Sequence, residues 1–275
     1  MTAFDFAVIG AGMAGASVAA ELAAHARVVM LEAESAPGYH TTGRSAAFWE
    51  ECYGGPEIVP LTLASGNYLR EHDFLTRRGA LYIGRDQDRG LLDGFMQRFG
   101  NTGATIARLV RAELAGMLPG LRVDWTGAIH EPACADIDVA RLHQHYLAIG
   151  RQRGVTAQMN ARVKEIRRDK GVWLIETERG ERFTAATVVN AGGAWADGIA
   201  GLAGAKPLGI QPLRRTIAQL RTDPPPPDDL PLVLDIAGRF YFKPDAGRLW
   251  LSPHDETPSQ PCDAAPEELA VAEAI

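Results

Sequence analysis

Residues 4–32, FDFAVIGAGMAGASVAAELAAHARVVMLE, constrain the fold more than any other stretch. Residues 4–9 form a short apolar run with Val and Ile, which predicts a buried parallel strand. Gly10, Gly12 and Gly15 then spell G-x-G-x-x-G, residues 14–24 read as a helix of small residues, and residues 28–31 read as a second strand ending on Glu32. Each glycine has a task in that order. Gly10 allows the tight strand-to-helix turn, Gly12 leaves a pyrophosphate room to approach the backbone, and Gly15 lets the helix close on the sheet. The start of the helix, with Ala14 in its first turn, offers free N–H groups and a partial positive charge to phosphates. Glu32, seventeen residues after Gly15, is placed to accept hydrogen bonds from ribose hydroxyls. Its charge would repel a 2′-phosphate. The stretch therefore predicts a dinucleotide site, and the glycine motif alone does not separate NAD from FAD.

A chain of 275 residues can build one large domain or two interleaved ones. Its net charge of −6 argues against a nucleic-acid partner. Cys52, Cys134 and Cys262 are far apart, with no C-x-x-C and no metal-ligand spacing, so they read as reduced thiols and no metal site is expected. The apolar stretch near the N-terminus is consumed by the strand–helix–strand unit, so a secretory leader is not expected either. No run is long and apolar enough to span a bilayer. The expected location is cytoplasmic, with peripheral contact to the inner face of the membrane left open.

Beyond Glu32, Pro37-Gly38 stops regular structure. Residues 41–47 mix hydroxyls, a glycine, an arginine and small side chains, which suits backbone running tight against a long ligand. Arg44 there adds charge for the ligand or forms a structural pair. Helices are predicted at 57–72, 86–99, 111–117, 139–153, 195–202 and 266–275. Residues 156–159, 163–167, 172–177 and 182–185 read as a small antiparallel meander, and 188–191 as a strand returning to the first sheet. Residues 210–220 and 232–235 read as strands of a second sheet, and 240–243 with 248–251 as a hairpin. The proline run between Asp223 and Asp228 reads as an exposed polyproline loop.

Taken together, VIGAGMAGAS, VVMLEAESAPGYHTTGRSAA, VVNAGGAWAD and FYFKPDAG resemble the FAD-dependent D-amino-acid oxidase superfamily, which includes glycine and sarcosine oxidases. The resemblance covers essentially the whole chain, and the 38–47 block with Cys52-Tyr53-Gly54 is most similar to bacterial D-arginine dehydrogenase and its relatives. It implies FAD as cofactor and an α/β (mixed α+β) fold. A Rossmann-like FAD domain (1–50 and 136–206) would interleave with an antiparallel-sheet substrate domain (51–135 and 207–262), and 263–275 would begin a further segment. The resemblance places the pyrophosphate over Gly10, Gly12, Ala14 and Gly15, the ribose near Glu32 and Ala33, and the flavin along Thr41, Thr42, Gly43, Arg44, Ser45, Ala46 and Ala47. Val163 would meet the adenine through its backbone, and Gly192 would close on the dinucleotide. The implied reaction oxidises the Cα–N bond of a D-amino acid or similar small amine by hydride transfer to flavin, and the imine then hydrolyses to a keto acid and ammonia. Arg215 would hold the substrate carboxylate, with Tyr53 and Tyr241 as tyrosines against the substrate. Arg214 is the adjacent competitor, since strand alternation lets only one of the two face inward.

Two departures bear on the substrate. Phe48 stands where the arginine-oxidising relatives carry a polar residue, and Ala80 where they place an acid, so a neutral or apolar D-amino acid is expected. Relatives also continue for roughly another hundred residues by resemblance. The expectation is a chain completed by a second one, or a fragment with impaired activity. Two alternatives stand beside the leading reading: a flavin dehydrogenase of 2-hydroxy acids, and a non-catalytic FAD-binding fragment. The electron acceptor is left open between oxygen, a quinone and others.

Overall fold

The computed structural model of the chain describes residues 3–274. The chain forms two units, each assembled from separate stretches. One comprises residues up to Ala46, Val139–Pro212 and Ser259–Asp263; the other comprises Ala47–Asp138, Leu213–Pro258 and residues from Ala264 onward.

The first unit is built on a six-stranded sheet. Its order is Val163–Asp169, Val172–Thr177, Arg182–Asn190, β1 (Ala3–Ile9), β2 (Val28–Leu31) and Thr156–Gln158. β1 lies parallel to both neighbours, with Phe6 opposite Val28 and Ile9 opposite Asn190. A central parallel strand is covered on both faces and needs apolar side chains on each; accordingly Ala7, Val8, Ile9 and all of β2 are buried. The helix α1 (Met13–Leu22) buries Ala16, Ala19 and Ala20, small enough for the helix Val139–Gln152 to approach: a Cβ on Gly150 would lie 3.9 Å from the Ala20 Cα. A further core cluster of the unit joins Ala7, Ile9, Val29 and Leu31 to Ile166, Ile175 and Ala185.

The expected meander is partly redrawn. Thr156–Gln158 pairs parallel with β2 at the opposite edge, because the helix Val139–Gln152 returns the chain in the direction of β2. The pieces expected at 182–185 and 188–191 are one strand, Arg182–Asn190. Its first residues pair antiparallel with Val172–Thr177 while its length runs parallel along β1.

The second unit has a seven-stranded sheet ordered Ala218–Leu220, Arg248–Ser252, Tyr241–Asp245, Leu232–Asp235, Ala80–Arg85, Trp125–Glu131 and Ala107–Val110. Every pairing is antiparallel except that of Leu232–Asp235 with Ala80–Arg85. Leu92 of the helix Arg89–Phe99 packs with Tyr82, Ile129, Leu234 and Tyr241, whereas Leu114 of the helix Arg111–Met117 packs with Leu81, Ile83 and Val233. The alternation of Leu81 and Ile83 with Tyr82 sends these neighbours to opposite faces. The single strand expected at 210–220 is broken. Leu213–Arg214 pairs with Thr257–Pro258, and Ala218–Leu220 joins the large sheet. The helix expected at 266–275 spans Glu268–Ala274, and its expected last residue, Ile275, lies outside the described residues. Among the described residues no helix is long and apolar enough to cross a membrane.

Candidate functional site

Gly10 and Gly15 are required by the chain itself. Gly10 has φ +103°, and a Cβ there would sit 2.4 Å from the Ala191 carbonyl oxygen; a Cβ on Gly15 would sit 1.9 Å from the Gly10 carbonyl oxygen. Gly12 is different. A Cβ there would meet only the Thr42 hydroxyl, at 3.2 Å, a tight contact with a side chain rather than with backbone. In α1 the Ala16 N–H is the first to reach back into the helix, to the Gly12 carbonyl. The amides of Met13, Ala14 and Gly15 precede that ladder. Met13 donates to the Thr42 Oγ1 at 2.9 Å, Gly15 is buried, and the exposed Ala14 is left with its amide free of that ladder.

Glu32 ends β2 and is 9% exposed. Its Oε2 accepts the Ala11 N–H at 2.7 Å and its Oε1 the Glu34 N–H at 3.0 Å. Each oxygen keeps acceptor capacity for a hydroxyl. The carboxylate therefore braces the glycine turn. His143, buried in the helix Val139–Gln152, donates from Nε2 to the Ala11 carbonyl at 2.9 Å and packs on Gly38. Sequence reasoning missed His143, because its partner lies 132 residues away and no local pattern links them.

Thr41, Gly43 and Ser45 are exposed, while Thr42 is partly covered by its bond to α1. Gly43 donates to the Gly38 carbonyl at 2.8 Å, and a Cβ on it would lie 2.7 Å from that oxygen. Arg44 takes the structural option of its two readings. Its Nη2 donates to Asp263 at 2.5 Å, the Tyr39 phenol donates to the same carboxylate at 3.1 Å, and the guanidinium lies over the Tyr39 ring. Arg44 holds the Asp263 carboxyl below the usual range. Ala46 closes the first unit, and Ala47, at φ +43°, opens the second. The Ala161 N–H donates to the Glu32 carbonyl at 2.7 Å, which draws the segment leading into Val163 alongside Glu32 and Ala33. A Cβ on Gly192 would lie 2.2 Å from the end of the Ile199 side chain, which would have to turn away.

In the second unit Arg215 and Tyr241 come together. The Arg215 Nε donates to the Asp255 carbonyl and its Nη2 to Glu256, both at 2.8 Å. The Tyr241 phenol is buried in the sheet; burial raises its pKa, and Ser252 and Arg215 beside it oppose that rise. Arg214 turns instead to Glu267, in a two-point ion pair. The alternation thus leaves Arg215 beside Tyr241. Phe48 meets the Tyr241 ring edge-on at 6.0 Å, and Ala80 belongs to the same apolar cluster. Tyr53 stands at the tip of a turn, 72% exposed, and is no core aromatic. His254, at φ +56°, stands edge-on to Tyr241, and its buried Nδ1 has no partner among the described residues. Burial, then Arg215, lowers the His254 pKa.

A buried acidic group was not anticipated. Glu50, Glu51 and Glu131 are 7%, 3% and 0% exposed. The Tyr82 phenol touches Glu50 Oε1 and lies 3.2 Å from Glu131 Oε2. Burial, then Glu50, pushes the Glu131 carboxyl up to about 7. The residues come from a turn and two strands, so spacing carries no sign of them. The one hint is a pair of acids set between Trp49 and Cys52.

Residues 5–274 match the family described as "FAD dependent oxidoreductase". Among curated proteins the chain is similar to L-2-hydroxyglutarate dehydrogenase of Escherichia coli (strain K12), 25% identical over 221 residues, covering 76% of this chain and 51% of that protein. The chain thus spans about half the length of that relative. Among solved structures it is similar to L-proline dehydrogenase from P. horikoshii, with a TM-score of 0.85 at 20% identity, covering 98% of this chain and 74% of that one. It is also similar to iminodiacetate oxidase from Chelativorans sp. BNC1, with a TM-score of 0.72 at 26% identity, covering 98% and 76%.

Proposed function

The chain belongs to the FAD dependent oxidoreductase family, its cofactor is FAD, and we propose that it oxidises the Cα–N bond of a small amino acid. The first unit fits the cofactor. Gly12 and the exposed Ala14 amide suit a diphosphate, Glu32 a ribose, and the partly exposed residues 41–47 the rest of the dinucleotide. Val163 would lie toward the adenine end. FAD, when bound, supplies the acceptor for the hydride that leaves the substrate α-carbon.

The second unit takes the substrate in this reading, and the observation that carries it is the Arg215–Tyr241 pair. Of the five N–H groups of Arg215, which lies beside Tyr241, one goes to Asp255 and one to Glu256. The others are left for a carboxylate, enough for a bidentate contact that orients the α-carbon. Tyr53, exposed on its turn, supplies a second phenol. Phe48 and Ala80 near Tyr241 favour a neutral or apolar side chain, and a D-amino acid is the leading candidate. The imine product hydrolyses to a keto acid and ammonia. Free Cys52, Cys134 and Cys262 support a reducing, cytoplasmic setting.

The similarity to a 2-hydroxyglutarate dehydrogenase favours one second reading, oxidation of a 2-hydroxy acid at the same arginine. A matched panel of D- and L-amino acids and 2-hydroxy acids, assayed with FAD and an artificial electron acceptor, separates the two. Turnover of amino acids above hydroxy acids supports the proposal; the reverse order favours the second reading, and turnover of neither contradicts both.

A further inference from the structure

The Tyr82 phenol has one proton and two carboxylates beside it, Glu50 Oε1 and Glu131 Oε2. If both acids were ionised, only one contact could contain a hydrogen, and the other would set a carboxylate lone pair against the phenol oxygen. If one acid keeps its proton, both contacts are bonds: phenol to carboxylate, and carboxylic acid to phenol. Among the described residues no cation is bonded to the pair. Around it lie Glu51 and the Cys52 thiol from the turn and the Cys134 thiol from the loop before Ala135–Ile137. Arg78 and Lys243 are bonded to Asp136 instead.

The acids hold a turn. The Glu51 N–H donates to Glu131 Oε1 at 2.5 Å, Glu51 Oε2 accepts the Thr105 N–H at 2.6 Å, and Cys52 packs with Val59 and Phe99. The Tyr53 N–H donates to the Glu50 carbonyl at 3.3 Å. Glu131 sits in a central strand and cannot withdraw without breaking the sheet, whereas Glu50 rides on a turn and can. We propose that Glu50 and Glu131 hold one carboxyl proton between them, beside the Tyr82 phenol's own, that this carboxyl proton docks the 50–54 turn on the sheet, and that its loss with rising pH releases the turn and its exposed Tyr53. Glu131 and Tyr82 are then positioning residues for Tyr53.

The transition falls where the Glu131 carboxyl, held up by burial and then by Glu50, gives up its proton, at about pH 7. Only the link from Tyr53 to substrate rests on the proposed function. The docking itself is measured on the chain without flavin or substrate, so the two fail separately. Hydrogen exchange by mass spectrometry at pH 6 and pH 8.5, corrected for intrinsic rates, is expected to show at least tenfold weaker protection of residues 48–54 at the higher pH. The helix Val59–Glu71 should be unchanged. Glu131→Gln, which keeps the shape and removes the titration, should hold protection constant. Infrared spectra should show a protonated carboxyl at pH 6 that disappears near pH 7 in the wild type, a step that Glu131→Gln should lack. If Glu131→Gln does not fold, Tyr82→Phe serves: it should lower protection at pH 6 to the wild-type level at pH 8.5. Protection independent of pH in the wild type, equal pH dependence in Glu131→Gln, or no protonated carboxyl at pH 6 overturns the proposal.

Discussion

Gly15→Ala is the sharpest perturbation of the glycine turn. The new Cβ would stand 1.9 Å from the Gly10 carbonyl oxygen and 2.8 Å from its carbon, where ordinary contact begins near 3.4 Å. Both atoms are backbone, so no side chain can swing away, and turn and helix must part by about 1.5 Å. Overpacking of this kind costs about 1–3 kcal/mol. The displaced groups include the Ala14 amide that would meet the diphosphate. If the misplacement also removes about 3 kcal/mol of binding, the FAD affinity falls by more than about a hundredfold. Fluorescence titration with FAD and a melting curve on the same sample separate the two effects. Gly198→Ala in the helix Ala196–Leu202 is the control, since a Cβ there meets no atom within 4 Å. It should stabilise by up to about 1 kcal/mol and leave affinity alone. A Gly15→Ala protein that binds FAD as tightly as the wild type would refute the assignment of the turn.

Glu131 makes a stability prediction. Its carboxyl is raised from 4.5 to about 7 in the fold, so between those values the folded state holds a proton that the unfolded state has lost. Its contribution is therefore fully present below about pH 4.5, declines as pH rises toward 7 and is gone above it, about 3 kcal/mol in all. Urea titrations at pH 5 and pH 8 should show that decline in the wild type, less in Glu131→Gln; equal slopes would contradict it. Glu32→Gln turns one acceptor of a backbone N–H into a donor and should cost about 1–3 kcal/mol of stability, together with at least tenfold in FAD affinity by the same titration. Arg215→Ala should raise KM for a carboxylate substrate by about a hundredfold, for a charge-assisted pair worth about 3 kcal/mol. Arg214→Ala should change KM no more than a few-fold, and the reverse ranking would exchange their roles.

The first unit was legible because its signals are local. Gly10, Gly12, Gly15 and Glu32 fall within one strand–helix–strand stretch, and Glu32 bonds back to the turn the glycines form. The strand Arg182–Asn190 was divided in two by its threonines and alanines, because nothing local says that one strand will pair both ways. Arg215 was separable from Arg214 only in principle; the structure distinguishes them through Tyr241 and Glu267, which lie far along the chain. Arg44 shows the limit from the other side. Its charge suggested phosphates, and a distant aspartate, Asp263, takes it instead. The Glu50, Tyr82 and Glu131 cluster was invisible for the same reason. Burial of an acid depends on what the sheet brings around it, and period-2 patterning describes faces rather than neighbours.

Titration of the isotope-labelled chain with FAD, and separately with ADP, followed by amide NMR, bears most directly on the account. Both ligands should saturably shift the Gly12, Ala14 and Gly15 amides, and FAD should displace ADP. Saturation with either ligand while those amides stay unmoved would place the dinucleotide elsewhere and contradict it.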